Sequence, residues 1–600
     1  MKYHQSRELF TCPQRPTAMP WVRSLFLLLP VCLLASISQA QDLSDVLGIC
    51  HVDGKYFLTH DDYLDEGANQ VLATGSKVLK IYLAPGRYPW NSAWPKDFKD
   101  LRSIAQSPYF QSIFNRPFTT YIMTAYCVGH DDHYWVTGIT DEQKAEETRQ
   151  FHDLTEYLLT TYKGTGKTFV LQHWEGDWAL RNGHKPDYDP TYQPDQTAIN
   201  GMIQWINARQ AGIVAARTEV KDTDVHVYGA TEANLVEASM EGKPGVINSV
   251  LPHTTVDLVS YSCYISLKTP ERLGKAIDFI AANLPPTAAF GQTPHSIYLG
   301  EFGYPENGDE GADGVNSRMN SALAIVKSKG VKWALFWEVY CNELKKPVTT
   351  APVNGNDMAV MGYWMVKPDG KPGVAWHRYR QAIITSDPAR ATSSAIKAGL
   401  TPIFIDRFDR PDGTDLGPTW SEHSHYGTVN QSLHDHHLLM EIPDGSKIPW
   451  GSATLDLKNP AALGRGLNVG EYYEFTIARK SEQCSAGVEL FGSDQLRQGA
   501  GMADSTPLMV WNSITWIPVS IDDQGQSISY DWSQPHTIGV RFDSADGHFT
   551  SFSYYIDGNY AGSWLAKTGN KTMNTIGLFA QSRFDSSSVE FSNLALFGRK

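Results

Sequence analysis

Two glutamates close apolar, β-prone runs in this 600-residue chain: Glu175 in "TFVLQHWEGDW" and Glu301 in "SIYLGEFGYPENG". Runs of β-branched and aromatic residues read as buried strands, and an acid at the end of one needs a partner, solvent or a ligand to face. Two carboxyl groups held about 5 to 5.5 Å apart across one cleft suit double-displacement hydrolysis of a glycosidic bond. In that reading one is the acid/base and the other the nucleophile. A single strand-end glutamate is often only a solvated loop residue, so the case rests on there being two, on strands that face each other.

The elements that must position them lie between residues 46 and 340. Strand-like runs there alternate with helical ones: "VLGICHV", "KVLKIYLA", "TTYIMTAY", "TFVLQHWE", "VHVYGATE", "VDLVSYSCY", "SIYLGEFGY" and "VKWALFWEVY". Helical spacing of apolar residues marks the intervening "DEQKAEETRQFHDLTEYLLTTY", opened at Asp141 by an N-cap acid, and "DQTAINGMIQWINARQAGIVAAR". Near-continuously apolar strands in strict alternation with helices predict a parallel sheet covered on both faces, and eight of them close a (β/α)8 TIM barrel. The fourth and seventh strands then lie across the barrel mouth from each other. Past Asp387, "SDPARATSSAIKAGLTP" has the small residues and prolines of a linker, and the texture changes to short alternating strands such as "YYEFTIAR", "HTIGVRFD" and "TIGLFAQS". The expected fold is therefore an α/β barrel over residues 41–386, a linker over 387–402 and an all-β jelly-roll sandwich over 403–600.

At the N-terminus, Arg23 precedes "SLFLLLPVCLLASI" and then "SQA", the pattern of a secretory signal peptide over residues 1–40, with Met19 as an alternative start. Bulky Val31 before Cys32 argues against lipidation there. The chain carries a net charge of −14, and removing Lys2, Arg7, Arg15 and Arg23 with Glu8 makes it more acidic. Such a surface repels nucleic acid and suits an exported protein, periplasmic or extracellular, with no membrane anchor in its mature form. Cys50, Cys127, Cys263, Cys341 and Cys484 show no CxxC and no regular spacing, which disfavours a disulfide framework or a zinc site.

Over about residues 46 to 380 the motifs resemble the retaining glycoside hydrolases of clan A, especially the family 5-like barrels. "LGEFG" is similar to the nucleophile strand of that family, which implies Glu301 as the nucleophile and leaves Glu175 as the acid/base. "SCY" on the sixth strand is similar to its His-x-Tyr pattern, which implies Tyr264 as the hydrogen-bonding partner of Glu301, with Ser262 where histidine is usual. "LFWE" resembles the eighth-strand motif whose tryptophan, here Trp337, floors the subsite of the reacting sugar. Two departures stand out: Trp174 precedes Glu175 where the clan has asparagine, and Lys80 takes the place of the second-strand arginine. The resemblance implies a polysaccharide or oligosaccharide substrate, with Trp337 and Lys80 among its contacts, and no cofactor. From their places on the fourth and third loops, Asp177 and His130 are candidates to hydrogen-bond sugar hydroxyls, and Trp174 to stack on a sugar ring.

Glu232 in "GATEAN" and Glu338 beside Trp337 are the alternatives to Glu175, although strand alternation turns Glu338 away from the face of Trp337. His130, Asp131, Asp132 and His133 have metal-capable side chains, but consecutive positions seldom converge on one ion, and no metal site is expected. Trp90, Trp94, Trp135, Trp178 and Trp364 fall in strand-end loops where an indole can stack on a sugar, whereas Trp205 and Trp333 read as core. In the C-terminal half, "FIDRFDRPDGTDLGPTW" and "SYYIDGNYAGSW" resemble strands of concanavalin A-like, laminin G-like sandwiches, with a hairpin bend at Asp557 and Gly558. Glycan binding, with Trp420, Trp450, Trp511, Trp532, Tyr560 and Trp564 as platforms, and mere scaffolding have equal weight there. A non-catalytic glycan-binding protein on a glycosidase-like barrel is the alternative to the enzyme.

Overall fold

In the computed structural model the described residues run from 42 to 599, leaving out 91–92, 96, 183–191, 426, 444–448, 481–483, 492–496, 503–507, 513–514, 521, 523–525, 568–571 and 583–585. The segment read as a signal peptide, residues 1–40, lies outside them. Eight parallel strands close in order into a barrel: β1 Leu47–Cys50, β2 Val78–Tyr82, β3 Thr120–Thr124, β4 Thr168–Gln172, β5 His226–Ala233, β6 Leu258–Ser262, β7 Ile297–Phe302 and β8 Ala334–Phe336. Each falls within the run that predicts it except β5, which extends one residue past Glu232. Leu47–Ile49 against Ala334–Phe336 closes the ring.

The strands are buried on both faces because residues two apart share one face. On β2, Val78 and Tyr82 join the interior cluster with Ile122, Val170 and Leu258, while Leu79 and Ile81 pack outward under the helices. The helix Asp141–Thr161 starts one residue earlier than an N-cap at Asp141 would have it. Thr140 is its N-cap, paired reciprocally with Gln143 in a capping box. Among the tryptophans read as ligand-facing, Trp94, Trp135, Trp337 and Trp364 are buried, Trp337 in the interior cluster of the barrel, as are Trp205 and Trp333.

After the barrel comes an antiparallel sandwich of two sheets, one of seven strands and one of eight, with a core that includes Phe475, Val488, Phe552 and Phe591. Its first strand, Thr401–Asp406, pairs with its last, Ser587–Gly598. Strands Phe549–Ile556 and Asn559–Lys567 meet in a two-residue turn with Asp557 at φ 49° and Gly558 at φ 89°, the left-handed pair that such a hairpin needs. Trp420, Trp532 and Trp564 are buried and cannot serve as exposed platforms. Trp450 and Tyr560 are half-buried, and the side chain of Trp511 lies outside the described residues.

The stretch read as a linker is folded. A helix, Ser393–Ala398, occupies it, Ser393 N–H donates to Gly558 O at 2.9 Å, and the Tyr555 hydroxyl donates to Arg390 O at 2.8 Å. The last barrel helix, Val374–Ser386, also reaches the sandwich. Arg380, 2% exposed, pairs with Asp543 and donates to Ser553 Oγ at 3.1 Å, and the His377 ring lies 5.7 Å from that of Trp564. Arg390 and Arg541 approach the same carboxylate at 3.3 and 3.6 Å, so three cations surround one buried acid. Burial would raise Asp543, but Arg380, Arg390 and Arg541 outweigh it and hold the carboxyl below its ordinary value.

Candidate active site

Lys80 sits mid-β2 on the interior face, 1% exposed. Its ammonium donates to Glu301 Oε1 at 2.7 Å and to Gly300 O at 3.1 Å, and lies 3.5 Å from Glu232 Oε2. Simple alternation after Tyr298 would turn Glu301 outward. The register prevents this: Tyr261 pairs with Leu299 and Ser262 with Glu301, so Gly300 is the extra residue of a bulge that re-aims Glu301 into the barrel. Only glycine fits there, because a Cβ on residue 300 would lie 1.8 Å from Ser260 Oγ. This bulge is the signal that a reading by strand period misses.

Glu232, at the end of β5, is fully buried. Its Oε2 accepts from Gln172 Nε2 at 2.9 Å and Ser260 Oγ at 3.1 Å, and its Oε1 accepts from the backbone N–H of Glu175 at 2.8 Å. Glu175 follows β4 by three residues and is half-buried, in the left-handed region at φ 49°, a conformation uncommon for a non-glycine residue and frequent at functional sites. The chain passes so close to β5 that a Cβ on Gly176 would lie 2.1 Å from Glu232 O.

Two carboxylates share one buried cation, and the titration of the group reflects that shortage. Burial raises Glu301 to about 7; Lys80 opposes the rise and Glu232 adds to it. Burial would lower Lys80, but Glu301 and Glu232 outweigh it and keep the ammonium charged well above its usual range. Burial also holds Glu338 well above a normal carboxyl, and its Oε1 accepts from Asn342 N–H at 3.0 Å.

Aromatic rings line the mouth above these acids. Trp174 and Trp337 lie nearly parallel with centroids 6.3 Å apart, and the edge of Tyr82 meets Trp174 at 5.7 Å. The Arg87 guanidinium covers Tyr82 and Trp174 at 5.1 and 5.6 Å and is paired with Asp53 at 2.8 Å. Beside them opens a cavity of about 210 Å³ whose lining includes Tyr82, Arg87, Phe98, Tyr126 and Asp132. Concave, aromatic-lined space with a few polar groups is the setting in which sugars bind.

Four expectations need correcting. Lys80 is consumed by Glu301, Gly300 and Glu232 and does not face the cleft. Asp177 is 2% exposed, and its carboxylate accepts three backbone N–H groups, from Asn234, Leu235 and Val246, at 2.7 to 2.9 Å; it ties loops together. Tyr264 makes no hydrogen bond with Glu301 among the described residues. Its half-buried ring packs edge-on against Tyr363 at 6.3 Å, and Lys80 holds the carboxylate instead. From the loop Gly129–Trp135 it is Asp132 that lines the cavity, while His130 rests against Tyr134 with centroids 4.7 Å apart.

No family model and no curated protein matches this chain. Solved structures similar to it include a non-specific endo-β-1,3(4)-glucanase of family GH16, at 11% identity and TM-score 0.26, covering 34% of this chain and 92% of that one. A laminarinase from Flavobacterium sp. UMI-01 matches at 9% identity and TM-score 0.25, covering 33% of this chain and all of that one. A β-1,3-glucanase from Mycobacterium marinum matches at 13% identity and TM-score 0.24, covering 33% and 98%. At TM-scores of this size the likeness bears on neither fold nor function.

Proposed function

We propose that the protein is a secreted retaining glycoside hydrolase of the clan A, family 5-like kind, acting on a β-linked polysaccharide or oligosaccharide. The observation that carries this reading is Glu301, turned into the barrel by a glycine bulge and held by Lys80, with the half-buried Glu175 on the loop after β4. Ionised Glu301 attacks the anomeric carbon as the glycosidic C–O bond breaks, and the Glu175 carboxyl gives its proton to the leaving oxygen. Glu175, now a carboxylate, takes a proton from water, whose oxygen attacks the same carbon and releases Glu301. Trp337 and Trp174 offer apolar faces to the sugar rings. Lys80 keeps Glu301 oriented.

The test is reducing-end release on a panel of β-linked polysaccharides, followed by the two acid variants on a substrate that is cleaved. Glu301→Ala is expected to be inactive. Glu175→Ala should retain turnover of aryl glycosides with good leaving groups, and azide should accelerate it and give a β-glycosyl azide. A β-glycosyl azide from Glu301→Ala together with an inverted, α-glycosyl azide from Glu175→Ala would exchange the two roles. Full activity in both variants would overturn the assignment. Binding to a panel member with no cleavage would favour the non-catalytic alternative.

A further inference from the structure

We propose that Glu232 is a positioning residue that fastens the two reacting glutamates to each other: one of its carboxylate oxygens holds the backbone of Glu175, and the other shares the Lys80 ammonium with Glu301. This rests on the assignment of Glu175 and Glu301 as the reacting pair. Glu232 is shut off from substrate. It is fully buried, and the chain at Gly176 packs against its backbone carbonyl. Both oxygens are engaged, Oε1 by Glu175 N–H and Oε2 by Gln172, Ser260 and Lys80. It therefore acts through its neighbours.

Two consequences follow. The first is geometric: the hydrogen bond from Glu175 N–H anchors a residue in a backbone region that non-glycine residues leave readily, so its loss lets the acid/base relax out of reach. The second is electrostatic. The groups facing Glu301 are Lys80 and Tyr82 from β2, Glu232 from β5 and Glu175 after β4. Cys50 on β1, Cys263 and Tyr264 after β6, and Glu338 after β8 complete the set. Of these acids Glu232 alone shares the Lys80 ammonium with Glu301, at 3.5 Å against 2.7 Å, and so competes with it for that cation. Neutralising it gives the whole ammonium to Glu301 and stabilises the ionised nucleophile.

The experiment uses the full chain with Glu232→Gln and Glu232→Ala, measured on one aryl glycoside with a good leaving group and one with a poor one. Glu232→Gln keeps an acceptor for Glu175 N–H. Its kcat at the optimum should stay within about tenfold of the parent while the acidic limb of kcat/KM moves down by about one pH unit. Glu232→Ala should lose kcat by about a hundredfold or more with KM nearly unchanged, and the loss should be greater for the poor leaving group, which needs the proton from Glu175. An unmoved acidic limb in folded Glu232→Gln overturns the proposal, as does an equal loss on both substrates in Glu232→Ala. The same shift is readable without turnover: ¹³C NMR titration of labelled glutamate carboxyls, with Glu301→Gln to assign the signal, should show the Glu301 midpoint fall in Glu232→Gln. No fall there overturns the shared-ammonium geometry. Failure of every glycoside to react would instead count against the hydrolase reading.

Discussion

Two buried charge clusters in this chain are built from the same kinds of side chain in opposite proportions. At the barrel mouth one cation, Lys80, serves two carboxylates, Glu232 and Glu301. At the junction with the sandwich three cations, Arg380, Arg390 and Arg541, serve one carboxylate, Asp543. The acids of both are dehydrated, so the ratio decides the outcome. A surplus of acids leaves Glu301 at about 7, where it gains and loses its proton near neutrality. A surplus of bases holds Asp543 below its usual range, permanently ionised. The first arrangement suits chemistry and the second fastening.

The sharpest way to break this contrast is to neutralise one acid in each cluster. Glu301→Gln should cost turnover about 10⁴-fold or more. It leaves Lys80 and Glu232 as a balanced pair, so its denaturation midpoint should match or exceed that of the parent. Asp543→Asn strands three arginines. It should lower stability by about 3 to 5 kcal/mol in urea titration, with kcat of the folded protein within about twofold of the parent. A stable Asp543→Asn would end the fastening reading.

Lys80→Met makes a smaller, two-sided change. With no cation between two buried carboxylates, Glu301 should rise further, moving the acidic limb of kcat/KM up by about one pH unit or more and lowering stability by about 1 to 3 kcal/mol. An unmoved limb would mean that Lys80 does not set the ionisation of Glu301.

The smallest effects are in pH dependence, and they run in opposite directions. Asp543 is depressed in the folded state, so its stabilisation is present above the unfolded value of about 3.9 and is lost as pH falls through the folded one. The gap between parent and Asp543→Asn should therefore close in strong acid. Glu301 is raised, so its favourable contribution is present below about 4.3 and is lost as pH rises through about 7. Glu301→Gln should accordingly gain on the parent across that interval. Activity should rise across the upper part of it, since attack needs the carboxylate.

The barrel was legible because alternation of apolar strands with helices is a local pattern. Both glutamates were legible because an acid at the end of a buried strand violates that pattern. What escaped depends on contacts between distant strands. That Glu301 faces inward needs the slip between β6 and β7 at Gly300, which a period-two reading assigns to the other face. Asp177 reads as a cleft residue from its nearness to Glu175, but the left-handed turn at Glu175 redirects the chain and delivers Asp177 to the amides of the next loops. Lys80 reads as a substrate contact only while its partners 152 and 221 positions away along the chain, Glu232 and Glu301, are unknown. The stretch 387–402 has linker composition, yet backbone and tyrosine hydrogen bonds from the sandwich fix it in place.

That fixed stretch bears on inheritance and on engineering. A flexible tether lets a carbohydrate-binding part be shuffled between genes, cut free by a protease, or grafted onto another enzyme. Here the sandwich keeps one arginine of its own beside Asp543 and borrows the others, Arg380 from the final barrel helix and Arg390 from the segment after it. Cutting at residue 387 would leave Arg380 behind and bare the face of Trp564 that His377 covers. The unit that can be moved is the sandwich together with the helix Val374–Ser386, and that helix is already part of the barrel wall.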